Sequence, residues 1–407
     1  MAIRGDQVIG RHPAANHGVP IDWASKGAIL AVRPDNMGDV VMLTPALRAL
    51  RKAAPLAKLD LLASPAGSAV VPLIPELDNC LVISPSWQDA SGTSSEPAGR
   101  LAMRERALAD LIASKGYHAM VVFTSHSQSP WPAAHVGMLA GIPIRVVHSS
   151  EFGGAVASHW VTPPSEHTHQ IDRCLHLLEA VGVTATGRYP ALRVPAAGDH
   201  AAEAALREIG LPPDSSFAVL APGASCSARR YPARRFAAVA ARVAAAGLPV
   251  LVTGTAKEQP LVGSVVADAG NQAVRALPVL DLPCLTAVIS RAAVAVTNNS
   301  GCMHLADAMG TPVAVAYAGT ERVGDMRPRA VPSAVLGRPV PCSPCRQFQC
   351  PFNHECLDFP PERLADAALA LVAQASGAQS PREEPRGEPQ KERQEEQCRD
   401  SRRTDAR

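Results

Sequence analysis

Four loops in this chain carry residue types able to do chemistry. Asp39 closes the loop Asp35-Asn36-Met37-Gly38-Asp39, where a carboxylate can take a proton from a hydroxyl. Aspartate is also a favoured cap that stabilises a helix start, so spacing alone leaves both roles open. Arg229 follows the loop containing Gly223, and a guanidinium there can clamp a diphosphate through paired N–H groups, or be solvated beside Arg230. Glu258 stands where it can accept from sugar hydroxyls or simply open a helix. The run Thr297-Asn298-Asn299-Ser300-Gly301-Cys302-Met303-His304 reads as a turn into a helix. Backbone amides at a helix start bind phosphate, Ser300 adds a hydroxyl and His304 an N–H; an Asn/Ser cap beside a core histidine is the plainer reading.

A fifth cluster has metal-like spacing: Cys342, Cys345, Cys350 and Cys356, with His354 beside the last. Opening with C-x-x-C, these can hold a structural Zn²⁺, stay reduced, or pair on oxidation. Equally informative are the patterns that do not occur. There is no dinucleotide G-x-G-x-x-G, no Walker A loop and no G-x-S-x-G elbow. No Asp-x-Asp occurs either, so a diphosphate leaving group has no carboxylate pair to hold Mg²⁺ against it. Arg229 and backbone dipoles must then neutralise it.

These loops need elements to hold them. A buried-strand pattern at 28–33 leads through the Asp39 loop into a helix at 40–52, with Pro45 near its start. Strands follow at 59–63, 80–83 and 120–123, with a surface loop at 85–100, a helix at 101–114 and another at 169–181. After a hinge region at 196–200 the pattern restarts. Strands fall at 217–220, 249–253, 293–296 and 313–317, and helices at 235–245 and 303–309. Two consecutive strand–loop–helix halves predict an α/β fold of two Rossmann-like domains facing a central cleft. The expected division is a loose leader at 1–26, an N-terminal Rossmann-like domain at 27–195, a C-terminal Rossmann-like domain at 196–374 containing the cysteine loop at 342–356, and a charged, disordered tail at 375–407.

Composition narrows the function classes. A formal net charge of +2 argues against a dedicated nucleic-acid binder, and 4% aromatics against base-stacking platforms. The N-terminal residues lack an apolar signal core, and no apolar run reaches membrane-span length. The expectation is a soluble cytoplasmic protein, with contact at the inner membrane only peripheral.

In this order the motifs resemble glycosyltransferase family 9, the ADP-heptose:lipopolysaccharide heptosyltransferases. The resemblance runs from about residue 29 to 373. It rests on Arg33-Pro34-x-x-Met37-Gly38-Asp39 with Leu43-Thr44-Pro45-Ala46-Leu47; His169-x-x-Asp172; Pro222-Gly223-Ala224 with Arg229-Arg230-Tyr231-Pro232; Val296 through Ala306; and the cysteine loop. It implies a GT-B fold, an inverting reaction needing no metal or other cofactor, and a nucleotide-sugar donor, ADP-L-glycero-β-D-manno-heptose. The implied acceptor is a lipopolysaccharide core or lipid-linked glycan at the inner membrane. Asp39 takes the role of base, Arg229 binds the diphosphate, Glu258 lies near the nucleotide's sugar, and Gly223, Ser300, Gly301 and His304 complete the donor site. Arg48, Arg51 and Lys52 are candidates for acidic core sugars. Asn299 stands where the family often carries aspartate, a position associated with donor sugar. That leaves two alternatives open: a family 9-like transferase for a different nucleotide sugar, and a non-catalytic nucleotide-sugar-binding protein.

Overall fold

The computed structural model describes residues 20–88, 97–212 and 214–378. Most of the expected leader and tail, and residues 89–96 of the expected surface loop, lie outside the described residues. The described residues up to Val372 form one compact unit, and 373–378, the end of a helix, are assigned to a second. The first half of the larger unit comprises β1 (Ala28–Arg33), α1 (Met37–Ala53), β2 (Lys58–Ala63), α2 (Pro65–Ser68), β3 (Asn79–Val82), α3 (Ala98–Ala113), β4 (Ala119–Val122), α4 (Trp131–Leu139), β5 (Ile144–His148), β6 (His159–Val161) and α5 (Gln170–Glu179). The second half comprises α6 (Ala196–Glu208), β7 (Ala218–Ala221), α7 (Ala233–Ala245), β8 (Val250–Val252), α8 (Gln259–Ala269), β9 (Val274–Ala276), α9 (Leu282–Arg291), β10 (Val294–Asn298), α10 (Gly301–Met309), β11 (Val313–Ala316), α11 (Val323–Met326) and β12 (Ser333–Leu336). The last helix is α12 (Pro361–Ala378).

Each half contains one sheet whose strands pair in parallel, in the orders β3-β2-β1-β4-β5-β6 and β12-β11-β10-β7-β8-β9. The second order is the first repeated from the opposite edge. The central strands are buried on both faces, which is why β1, β4, β7 and β11 read as continuous apolar runs rather than alternating ones. The strand order reverses direction beside β1/β4 and again beside β7/β10. Ligands of doubly wound sheets bind at such points, beyond the carboxyl ends of the strands.

Three sequence expectations need correcting. Residues 196–200 are the first turns of α6, not a hinge, because the run 196–208 buries Gly198, Ala202, Ala205 and Leu206 on one face. Residues 20–26 are not loose: Trp23 is buried and its Nε1 donates to the Val181 carbonyl at 3.0 Å. Helix α1 begins three residues earlier than expected, capped by Asn36 in extended conformation, so Asp39 lies in its first turn and Pro45 in its interior. A proline there strips a hydrogen bond from the carbonyl four residues back, that of Val41. The Thr44 hydroxyl donates to that carbonyl at 2.8 Å and replaces the missing N–H.

The two halves meet where α1 and α10 begin. A Cβ on Gly38 would lie 2.5 Å from His304 Cδ2, and one on Gly301 would lie 2.2 Å from Met37 Cε. Only glycine lets these helices approach so closely. Behind them Val40, Val41 and Leu47 of α1 join Met303, Leu305 and Ala306 of α10 in one apolar core that crosses both halves. Polar links reinforce the junction: Arg329 to Asp172 at 2.6 Å, Arg322 to Glu166 at 3.3 Å, and His169 Nε2 to the Arg327 carbonyl at 3.0 Å.

Three histidines are buried within this framework and held neutral. Burial pushes His304 down to about 3, with the charges of His169 and Arg229 adding to the shift. Burial likewise brings His169 down to about 4, partly opposed by its bond to Arg327, and His148 down to about 2. An unfolded histidine protonates near 6.5, so between that value and these the unfolded chain binds more protons. Stability is therefore full above about pH 6.5 and is lost as pH falls, approaching about 1.4 kcal/mol per pH unit for each such group. Urea unfolding midpoints should drop between pH 7.5 and 5.5, and a flat profile would contradict the buried neutral state. Gly38→Ala should destabilise the chain by about 1–3 kcal/mol through overpacking against His304, measured by the same unfolding curves.

Candidate active site

The polypeptide leaves β1 at Arg33, whose side chain is fully buried. Its Nη2 donates to Asp39 Oδ1 at 2.9 Å and to Ser125 Oγ at 2.8 Å. Its Nε lies 3.0 Å from Asp35 Oδ2, a charge contact without hydrogen-bond alignment. One guanidinium thus serves two carboxylates. Burial raises the Asp35 carboxyl, which Arg33 opposes and the Asp39 charge reinforces, while Gln128 and Gln88 donate to its other oxygen. The trio carries one negative charge more than Arg33 compensates.

Across the cleft, Arg229 ends a short turn after β7 and donates from Nε to Thr320 Oγ1 at 3.2 Å and from Nη2 to Glu321 Oε1. Thr320 and Glu321 follow β11. Glu321 Oε2 accepts from Asn299 Nδ2 at 3.1 Å and from the Thr320 hydroxyl. The Asn299 carbonyl accepts from Ala318 N at 3.0 Å, so its amide is engaged at both ends. Asp35, Asp39, Arg229 and Glu321 line one cavity of about 260 Å³ between the halves. A wider groove of about 760 Å³ adjoins it through Asp35, Asn36 and Gln88, along Ser64, Ser86 and Arg104 of the first half.

Other predicted site residues fall elsewhere. Glu258 completes a capping box with Thr255, its carboxylate accepting from Thr255 N at 3.0 Å and from the hydroxyl at 2.9 Å. A Cβ on Gly223 would lie 2.0 Å from Glu258 Oε1, so Gly223 admits that side chain. Asn298, a neighbour not singled out for the donor site, holds this loop: it donates to the carbonyls of Pro222 and Gly223 and accepts from Tyr231 N. Ser300 is the N-cap of α10 but makes no side-chain capping bond, its Oγ lying 3.1 Å from Thr297 Oγ1. The approach to Gly301 is covered by Met37, and His304 packs against Gly38. None of Gly223, Glu258, Ser300, Gly301 and His304 lines that cavity, although Ser300 and Gly301 are half-buried rather than enclosed.

The basic residues of α1 are not gathered at the cavity. Arg51 is twelve residues beyond Asp39, about 18 Å along the helix at 1.5 Å per residue. It bonds the carbonyls of Ala57 and Glu76 and pairs with Asp78 at 2.6 Å, a structural clasp. Arg48 lies 3.6 Å from Glu76, and Lys52 is exposed.

The cysteine loop braces the segments that carry Arg229 and Thr320. Cys345 N donates to the Gly319 carbonyl and Arg346 N to the Thr320 carbonyl, both at 3.0 Å, and Ala228 N donates to the Phe348 carbonyl at 3.2 Å. Cys342, Cys345, Cys350 and Cys356 are free thiols; burial raises that of Cys356, and the other three lie near enough to add to the rise. His354 is committed to the Ser227 carbonyl at 3.1 Å. Among the described residues no three His, Cys, Asp or Glu side chains group closely enough to hold a metal ion.

Sequence reasoning passed over Asp35, Thr320 and Glu321. A signal existed: Thr320-Glu321 is a polar pair in the loop that follows the apolar strand β11, at the carboxyl edge where doubly wound sheets bind ligands.

Comparison with known proteins agrees with this architecture. The sequence model for glycosyltransferase family 9 (heptosyltransferase) matches residues 105–355, a stretch that begins after the Asp39 loop. A family 9 glycosyltransferase from Veillonella parvula DSM 2008 superposes with a TM-score of 0.72 at 21% identity, over 88% of this chain and 99% of that one. Escherichia coli ADP-heptose lps heptosyltransferase II gives 0.67 at 20%, over 86% and 99%. E. coli heptosyltransferase WaaC with ADP-2-deoxy-2-fluoro heptose gives 0.60 at 16%, over 86% and 99%. No curated protein sequence matches the chain. Two parallel sheets in repeated order, a cleft between them and a family match across more than half the length lead to one conclusion: the chain belongs to glycosyltransferase family 9, the heptosyltransferase family, and is a glycosyltransferase of GT-B type.

Proposed function

We propose that this chain moves a heptose from ADP-L-glycero-β-D-manno-heptose to a lipopolysaccharide core acceptor, with inversion and without a catalytic metal. The observation that carries the reading is the shared cavity, which is lined by a carboxylate of the first half, Asp39, and a guanidinium of the second, Arg229. In-line displacement needs a base and a leaving-group stabiliser on opposite faces of the anomeric carbon. Each half supplies one of them. Asp39 takes the proton of the acceptor hydroxyl as the new glycosidic bond forms. The bond to the diphosphate breaks on the other face, and Arg229 takes up the charge that develops on the departing ADP. No Asp-x-Asp competes for that task. Ser300 and Gly301, at the start of α10, and His304, one turn in, complete the donor site in this reading.

The acceptor enters along the groove lined by Asn36, Ser64, Ser86 and Arg104 in this reading, not along the basic end of α1. No helix among the described residues is long and apolar enough to cross a membrane, so a lipid-bearing acceptor is met from the side. A peripheral place at the cytoplasmic face of the inner membrane fits that approach. Zn²⁺ on the cysteine loop, if bound, has no step in the reaction and acts only on the brace behind Arg229 and Thr320.

A second reading keeps the chemistry and changes the sugar. Asn299 favours it, since its uncharged amide stands next to the donor wall where relatives often carry aspartate. A donor panel with truncated core acceptors, followed by mass spectrometry with and without EDTA, separates the two. Transfer from ADP-heptose at an EDTA-independent rate is expected; turnover of another nucleotide sugar alone would replace the donor assignment. Asp39→Asn should lower the transfer rate by about a hundredfold or more while leaving ADP affinity unchanged. Full activity in that variant would remove Asp39 from the role of base, and ADP binding without transfer by the wild type would favour a non-catalytic binder.

A further inference from the structure

Glu321 is the one carboxylate on the donor wall of the cavity whose two oxygens are divided between different tasks. Oε2 is anchored, accepting from Asn299 Nδ2 at 3.1 Å and from the Thr320 hydroxyl, and both of these residues are nearly inaccessible. Oε1 holds only the Arg229 guanidinium. The Thr320 backbone is fixed in turn by the cysteine loop, through Arg346 N on its carbonyl. The carboxylate therefore keeps its place whether or not Arg229 stays bound to it.

Place follows from connectivity. The transferred sugar is bonded directly to the diphosphate, and its anomeric carbon must lie between Arg229 and Asp39. Glu321 touches Arg229 and lines the same cavity as Asp39, so it stands beside the sugar rather than beside the adenosine. A diphosphate carries more charge than one carboxylate and competes for the guanidinium fork. When it takes Arg229, Oε1 loses its cation in a site only 17% exposed. A buried anionic oxygen left unpaired is costly, and a sugar hydroxyl is the donor at hand. Asn299 suits this arrangement because its amide donates to Glu321, whereas an aspartate there would set two carboxylates about 3 Å apart.

Resting on the proposed transferase reading, we propose that Glu321 is a specificity-determining residue of the donor site: its Oε1 pairs with Arg229 in the empty cleft and accepts a hydrogen bond from a hydroxyl of the transferred sugar in the donor complex. The chain then recognises its donor by a hydroxyl-to-carboxylate contact adjacent to the diphosphate. A nucleotide without the sugar cannot make that contact.

The test measures, by calorimetry on the full chain, affinity for ADP and for ADP-heptose in wild type and in Glu321→Gln. The quantity read is the gain in affinity that the sugar adds. Glu321→Gln should leave ADP binding unchanged or a few-fold tighter, because a competing carboxylate is gone. It should reduce the sugar's gain by about tenfold to a hundredfold, the range for a hydrogen bond to a charged group. Glu321→Asp, which keeps the charge one methylene further back, should fall between, and thermal melting confirms that both variants are folded. Equal loss of ADP and ADP-heptose affinity would show that Glu321 only steadies Arg229, and an undiminished gain would show that it does not meet the sugar; either overturns the proposal. A wild type that binds ADP but gains nothing from the heptose overturns the donor assignment itself, and the same comparison is then read with the nucleotide sugar that the donor panel identifies.

Discussion

The close approach of α1 and α10 is the constraint on which the rest of this structure hangs. Gly38 and Gly301 have no side chains to hold the helices apart, so His304 and Met37 fill the space that each leaves. A shared apolar core behind them makes the contact rigid, since tightly packed interiors resist small displacements. This contact sets the width of the cleft. Asp39 is one residue beyond Gly38, and the loops from β7 and β11 stand opposite. The distance between the carboxylate and the arginine is thus decided by two missing Cβ atoms rather than by the charged groups themselves.

Each half brings its own cluster of paired charge to that cleft. In the first, Arg33 is divided between Asp35 and Asp39, and the surplus is negative. In the second, Arg229 is matched by Glu321 and held further by Thr320. Burial makes such pairs sensitive to loss of a partner, because an uncompensated ion in a poor dielectric has nowhere to shed its field. It also means that a charged ligand enters by exchanging partners, not by adding charge to an empty space. The cysteine loop belongs to this picture as a brace: its backbone bonds the segments that carry Arg229, Thr320 and Glu321.

Membership of family 9 fits the same geometry and extends it. The family match covers most of the second half and much of the first, while the Asp39 loop precedes it. The related structures share the two-sheet architecture at low identity, so they support the fold and leave the sugar to the site itself. Asn299 is where that matters most. Its amide is spent on holding Ala318 and Glu321.

The sequence by itself determined the architecture. Fully buried parallel strands announce themselves as unbroken apolar runs, so β1 was legible to the residue and the restart at β7 within one. The loops holding Asp39 and Arg229 could be placed at the carboxyl edges of those strands for the same local reason. Helix starts were less legible: α1 begins earlier than its apolar spacing implied, and the small residues opening α6 looked like a hinge. Only the tertiary structure decided which residues meet. Arg229 and Glu321 are 92 positions apart, as are Arg33 and Ser125. A contact at that separation leaves no periodicity to read. The same holds for Gly38 against His304, and for Arg51, whose charge looked available for ligand until the carbonyls of Ala57 and Glu76 were found in its reach. Local pattern fixes what the backbone does; which side chains are left free for chemistry depends on partners that arrive from elsewhere in the chain.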